Sequence, residues 1–288
     1  MMAAQGGAAT GANEVDGTRT RRGSVLDGVT HVLFVHAHPD DETLATGALL
    51  SELVDTGMAV TLVTCTRGER GEVVAGPHAH LEGTPEFAAH REGELAGALA
   101  ELGVSRHVWL GTPPARAAHL DPRRYEDSGM RWIREGLAGP SDDASLAAFT
   151  SAGVDEEVAD LLALIDADAA LGTATSRPGF IVSYNEIGGY GHPDHVRARE
   201  VAQTAARARG IRIAEIFHEN PDAAGQPGGS RDDAASSSTW FELGHRLDQV
   251  KRALAHHASQ VTVDGDDVVH SGGQRTPIAT SVGLRVTR

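Results

Sequence analysis

Cysteine is nearly absent from the chain: Cys65 stands alone in 288 residues. A single thiol excludes an internal disulfide and a cysteine-rich zinc site, and it fits a protein kept in a reducing cytoplasm. At the end of an apolar run, Cys65 reads as a packed thiol. Basic residues are also short, with 25 Lys and Arg against 40 Asp and Glu and a formal net charge of -15. Nucleic acid and anionic membrane surfaces both require a basic footprint, so neither is an expected partner. No apolar run approaches the roughly 18 residues of a membrane-spanning helix. Arg21 and Arg22 lack the apolar segment that a twin-arginine export signal places after them. Residues 1–28, rich in Gly, Ala and Thr, read as a disordered leader, and 29–288 as one domain.

Strand-forming and helix-forming segments alternate through that domain. "HVLFVHAH" (31–38), "MAVTLVTC" (58–65), "HVWLG" (107–111), "GFIVSY" (179–184) and "IRIAEIF" (211–217) read as strands. Helices are expected over Thr43–Thr56, from Thr84-Pro85 to Leu102, from His192 to Arg209, and from Trp240 to His257. Gly57, Gly103 and Gly210 supply stops for the first three. Strand–helix alternation predicts an α/β fold, a Rossmann-like and mainly parallel sheet with helices on both faces. Segments 112–150 and 218–238 lack periodicity and read as irregular insertions.

In such sheets ligands gather beyond the carboxyl ends of the strands. A nucleotide site there needs Gly-x-Gly-x-x-Gly after the first strand. This chain instead has Ala37-His38-Pro39-Asp40-Asp41, which sets carboxylates where a pyrophosphate would sit and excludes a nucleotide-dependent oxidoreductase. A second charged cluster, Tyr190-Gly191-His192-Pro193-Asp194-His195, follows a later strand. Imidazole and carboxylate are the usual ligands of a catalytic zinc that keeps a position open for water. His38 and Asp41 can converge on one ion from a turn. Either His192 or His195, three residues apart with Pro193 in the first helical turn between them, can complete a His-Asp-His set. Asp40 is then left to face the open side. One His-Pro-Asp fragment alone is more often a turn and helix cap; two of them on the same rim are not readily dismissed that way.

The pairing of "AHPDDE" with a distant "GHPDH" resembles the PIG-L/LmbE-like zinc N-deacetylases, which act on N-acetylglucosamine conjugates. "VTCTRGERGEV", "REGELAGALAELGV", "DSGM" and "GGYGHPDHV" are similar to the actinobacterial mycothiol-pathway branch of that family. The resemblance implies a cytoplasmic enzyme that removes acetate from a small amino-sugar substrate, N-acetylglucosaminyl-inositol. A mycothiol S-conjugate amidase sharing the metal motifs is the alternative. It further implies zinc, or iron(II), on His38, Asp41 and His195, with Asp40 as general base. Tyr190 and His192 would polarise the amide and hold the oxyanion, with Asp194 tuning His192. Arg91 lies inside the apolar stripe Phe87, Arg91, Leu95, Ala98, Leu102, a costly place for a guanidinium without partners. By resemblance it contacts the sugar, with Asp127 of "DSGM" as its acidic companion. His36 reads as packing or support, His256 and His257 as cap or core, and Glu69, Arg70 and Glu72 as loop or rim residues. A non-catalytic metal-binding or carbohydrate-binding module is the remaining competitor, and Asp40, Tyr190 and His192 around an open position argue against it.

Overall fold

The computed structural model describes residues 24–172, 177–219 and 238–287. Its centre is β1 (His31–His36), flanked by β2 (Ala59–Thr64) and β3 (Arg106–Trp109) on one side and by β6 (Phe180–Ser183) and β7 (Arg212–Phe217) on the other. These five strands are parallel, in register Val32 to Val60 and Val32 to Phe180. Every residue of β1 is buried, as a parallel strand covered on both faces must be.

Alternation along the strands then assigns the helices to faces. Val32, Phe34, Leu62 and Phe180 share a core with Leu49 of α1 (Asp41–Asp55), Leu95 and Leu99 of α2 (Phe87–Leu102), and Val250 and Leu254 of α6 (Leu247–His256). Leu33, Val35, Val63 and Ile181 pack with Leu161 and Leu164 of α3 (Val154–Ala170) and with Val201 and Ala205 of α5 (Pro193–Arg209). Gly103 and Gly210, both left-handed, close α2 and α5 as expected. The α/β reading with helices on both faces therefore holds.

Several expectations give way. Thr84 does not cap α2, whose first residue is Phe87 and whose N-cap is Glu86. The last helix begins at Leu247; residues 238–242 form β8 (Ser238–Glu242), which pairs with β12 (Ser281–Thr287). β12 runs antiparallel to both β7 and β8 and makes the sheet mixed, in the order β3-β2-β1-β6-β7-β12-β8. A separate meander of β9 (Val261–Asp264), β10 (Asp267–His270) and β11 (Arg275–Pro277) follows α6. Segment 112–150 is not wholly irregular, because β4 (Met130–Arg134) and β5 (Leu137–Pro140) form a hairpin in it. Of the expected leader, residues 24–28 are described, and Val25 and Leu26 are core residues. Residues 1–23, and 220–237 of the second expected insertion, lie outside the described residues. Among the described residues, no helix is long and apolar enough to cross a membrane.

Candidate active site

Two loops at the carboxyl edge of adjacent strands build the site. β1 ends at His36, and residues 37–40 turn into α1. β6 ends at Ser183, and the chain passes through the short α4 (Gly188–Gly191) into α5, with Pro193 in its first turn. Gly191 has φ 93, and a β-carbon there would meet the Ala138 carbonyl at 2.6 Å. Glycine thus lets this turn close against β5.

The Asp41 carboxylate sits between two imidazoles, with Oδ2 3.3 Å from His38 Nδ1 and Oδ1 3.3 Å from His195 Nε2. The outer nitrogens of both rings are occupied. His38 Nε2 donates to Asp194 Oδ2 at 3.1 Å, and His195 Nδ1 donates to the Gly188 carbonyl at 3.1 Å. Neither acceptor can donate, so each ring keeps a proton on its outer nitrogen and turns its inner nitrogen toward Asp41. His195 Nε2 is buried without a hydrogen-bond partner among the described residues. Two inner ring nitrogens and a carboxylate converging in this way suit a divalent cation, which would displace any proton held between them, and the Asp194–His38 contact is the outer hydrogen bond that metal-ligating histidines usually make. Among the described residues, the groups whose donor atoms all lie within 4.8 Å of one another are His38, His192 and His195, and His38, Asp127 and Asp194; Asp41 is in neither.

Electrostatics follow the same grouping. Burial opposes ionisation of Asp41, but the His195 and His38 rings hold its carboxyl well below the usual range. Burial disfavours a charged His38, yet Asp127, Asp194 and Asp41 raise its pKa well above normal. His192 is pushed down to about 2 by burial and by the two neighbouring imidazoles. Its Nδ1 accepts from the Asp194 backbone N–H at 3.2 Å, which leaves the ring proton on Nε2. Burial pushes Asp40 up to about 6 while Arg91 opposes the shift.

Asp40 has φ 116 and ψ -32, a backbone region that residues with a β-carbon rarely occupy and that is concentrated at functional sites. Its carboxylate Oδ2 lies 3.2 Å from Arg91 Nη2. Tyr190 is 37% exposed, its ring 5.3 Å from that of His195 and 5.8 Å from that of Trp132 on β4.

Three expected roles meet a different geometry. Arg91 is 2% exposed and directed into the fold, donating to the Gly68 carbonyl at 2.7 Å and also to the Pro39 carbonyl. It braces the Asp40 turn. Asp127 accepts from the Gly129 and Arg70 backbone N–H groups, with Oδ1 3.7 Å from His38 Nε2, and so faces the imidazole cluster. The Asp194 carboxylate holds His38 and the Ser128 N–H, and touches His192 only through its backbone. Of the lesser residues, His36 bonds Thr46 and Tyr184, and Cys65 is buried. Glu69 accepts from the Asp127 N–H, and Glu72 accepts from Ser271.

Tyr184 is a site residue that the sequence reading missed. Its hydroxyl donates to Asp41 Oδ2 at 2.7 Å and accepts from the Ala37 N–H at 2.8 Å, while its ring stacks on His195 at 4.2 Å. Its place one residue past β6 was the available signal, because strand ends are where such sheets put function.

Fold and donor set together define an α/β protein with a His/Asp metal-binding cluster at the strand ends. The chain belongs to the PIG-L family, whose model, GlcNAc-PI de-N-acetylase, matches residues 33–206. It is 32% identical to a 1D-myo-inositol 2-acetamido-2-deoxy-alpha-D-glucopyranoside deacetylase of Actinosynnema mirum, over 81% of each chain. A relative of the same name from Nocardioides sp. is 42% identical over 61% of this chain and 53% of its own. The chain spans about half the length of several curated relatives that it matches. Among solved structures, a deacetylase of the teicoplanin biosynthesis pathway shares the fold, with TM-score 0.56 and 20% identity over 90% of this chain and 98% of that one.

Proposed function

We propose that this protein is a metal-dependent amidohydrolase that removes the acetyl group from N-acetylglucosaminyl-inositol in cytoplasmic mycothiol biosynthesis. The observation that carries the reading is the inward-facing ring nitrogens of His38 and His195 on either side of Asp41, with the Asp40 carboxylate on the adjoining turn. The relatives' names and the family supply the substrate class. His38, Asp41 and His195 would hold the ion, zinc or alternatively iron(II), since such a set does not choose between them.

When bound, a divalent ion supplies Lewis acidity toward a carbonyl oxygen and a lower pKa for a water. Asp40 accepts the proton of the attacking water and delivers one to the leaving amine. His192, with its proton on Nε2, and the Tyr190 hydroxyl donate to the oxygen that gains charge as the amide carbon becomes tetrahedral, a donation of roughly 3 kcal/mol for a well-placed group. Asp194 keeps the His38 ring in the tautomer that ligation needs. Arg91 keeps Asp40 in place.

Acetate release from N-acetylglucosaminyl-inositol and from free N-acetylglucosamine, with bound metal measured in the same preparation, tests the reading. Strong preference for the inositol conjugate supports it. Release from neither, with one metal per chain, defeats the substrate assignment and directs the search to thiol conjugates, the mycothiol S-conjugate amidase reaction.

A further inference from the structure

A buried polar relay ends on the backbone of Asp40. The Asp40 N–H donates to Glu42 Oε2 at 3.0 Å, and the other oxygen of Glu42 accepts from His257 Nε2 at 3.0 Å. Glu42 and His257 are both completely buried, and Thr43 Oγ1 also donates to Glu42 Oε1. His257 caps the end of α6, far away in sequence, through its N–H on the Leu254 carbonyl. Its Nδ1 has no partner among the described residues, and its Nε2 also lies 3.2 Å from Thr43 Oγ1, so His257 joins the end of α6 to the start of α1 through Glu42 and Thr43.

A buried ionisable pair gives a fold little that apolar side chains of similar volume would not, and its better-attested use is to specify a geometry. The geometry needing specification here is the φ of 116 at Asp40, which persists only where its surroundings impose it. Arg91 holds one side of the turn, through the Pro39 carbonyl and Asp40 Oδ2. Glu42 holds the other.

We propose that His257, acting through Glu42, is a positioning residue that sets the orientation of the Asp40 carboxylate for proton transfer. The inference rests on the role of Asp40 proposed above. It makes the C-terminal helix part of the catalytic apparatus, although His257 itself is completely buried.

The test compares wild type, His257→Leu and His257→Gln for kcat and KM on N-acetylglucosaminyl-inositol, with bound metal and Tm measured for each. In His257→Leu, kcat falls by about 100-fold, the scale for a misplaced catalytic group. KM stays within about two-fold and metal content is unchanged, as befits loss of an interaction made in the transition state. His257→Gln, whose amide can still donate to Glu42, recovers much of the rate. A lower Tm with unchanged kcat per metal-loaded chain, and no difference between Leu and Gln, overturns the proposal. If His257→Leu does not fold, Glu42→Gln is read by the same measurements. If wild type does not turn the conjugate over, the functional reading fails, and crystal structures of wild type and His257→Leu decide this inference separately. Asp40 leaving its positive φ in the variant supports it; Asp40 unmoved on Arg91 overturns it.

Discussion

The tripeptide His-Pro-Asp occurs twice in the site, and the two copies are used in opposite ways. In the first, the histidine (His38) turns its Nδ1 to Asp41, and the aspartate (Asp40) is held at positive φ beside Arg91. In the second, the histidine (His192) is an N-cap with extended backbone whose Nδ1 accepts the Asp194 N–H, and Asp194 lies in the first turn of α5 with its carboxylate on His38. The aspartate of one copy therefore supports the histidine of the other. Backbone conformation makes the difference. A helix starting after the aspartate leaves Asp40 outside it, whereas one starting at Pro193 carries Asp194 inward. On the proposed function, identical residues take a general-base role in one loop and a supporting role in the other.

The comparison breaks most readily at the two aspartates. Asp40→Ala should lower kcat by about 10²- to 10⁴-fold, the usual contribution of a general base, at metal content near wild type. Loss of the metal would instead make Asp40 a ligand. Asp194→Asn should act through the ion, weakening metal affinity by about 10- to 100-fold as loss of an outer-sphere partner does. Competition with a chelator measures it, and unchanged affinity would remove Asp194 from support of His38. Tyr184→Phe takes one hydrogen bond from Asp41 and should fall near the lower end of that range, about 10-fold, with the stacking on His195 retained. The smallest effect concerns the fold. Asp40→Gly relieves the positive φ and should stabilise the protein by about 1 kcal/mol over wild type while remaining inactive. A denaturant midpoint no higher than that of Asp40→Ala would show that the turn stores no backbone strain.

Legibility in the sequence followed the range of the interactions. The five parallel strands and α1, α2 and α5 were readable because apolar runs, glycine stops and Pro193 act within a few residues. β12 was not anticipated, because its place depends on pairing with β7 and β8. Trp240 and Phe241 suited a helical stripe as well as a strand, and the β12 ladder decided for the strand. α3 escaped notice despite Val158, Leu161, Leu164 and Ile165, which it buries against α5 and the sheet. Arg91 was conspicuous as a cation in an apolar stripe, but its partners, the Gly68 and Pro39 carbonyls, belong to other loops.

The sequence by itself determined the kind of fold, the edge of the sheet that carries chemistry, and the residue types gathered there. Those depend on local periodicity and on the fixed handedness of strand–helix–strand connections. Tertiary structure alone decided which aspartate serves which histidine, that Tyr184 joins the site, and that His257 reaches the Asp40 turn. Hydrogen-bond partnership is settled over a few ångströms of space, and residues at 38, 184, 194 and 257 become neighbours only once the strands have paired and α6 has docked.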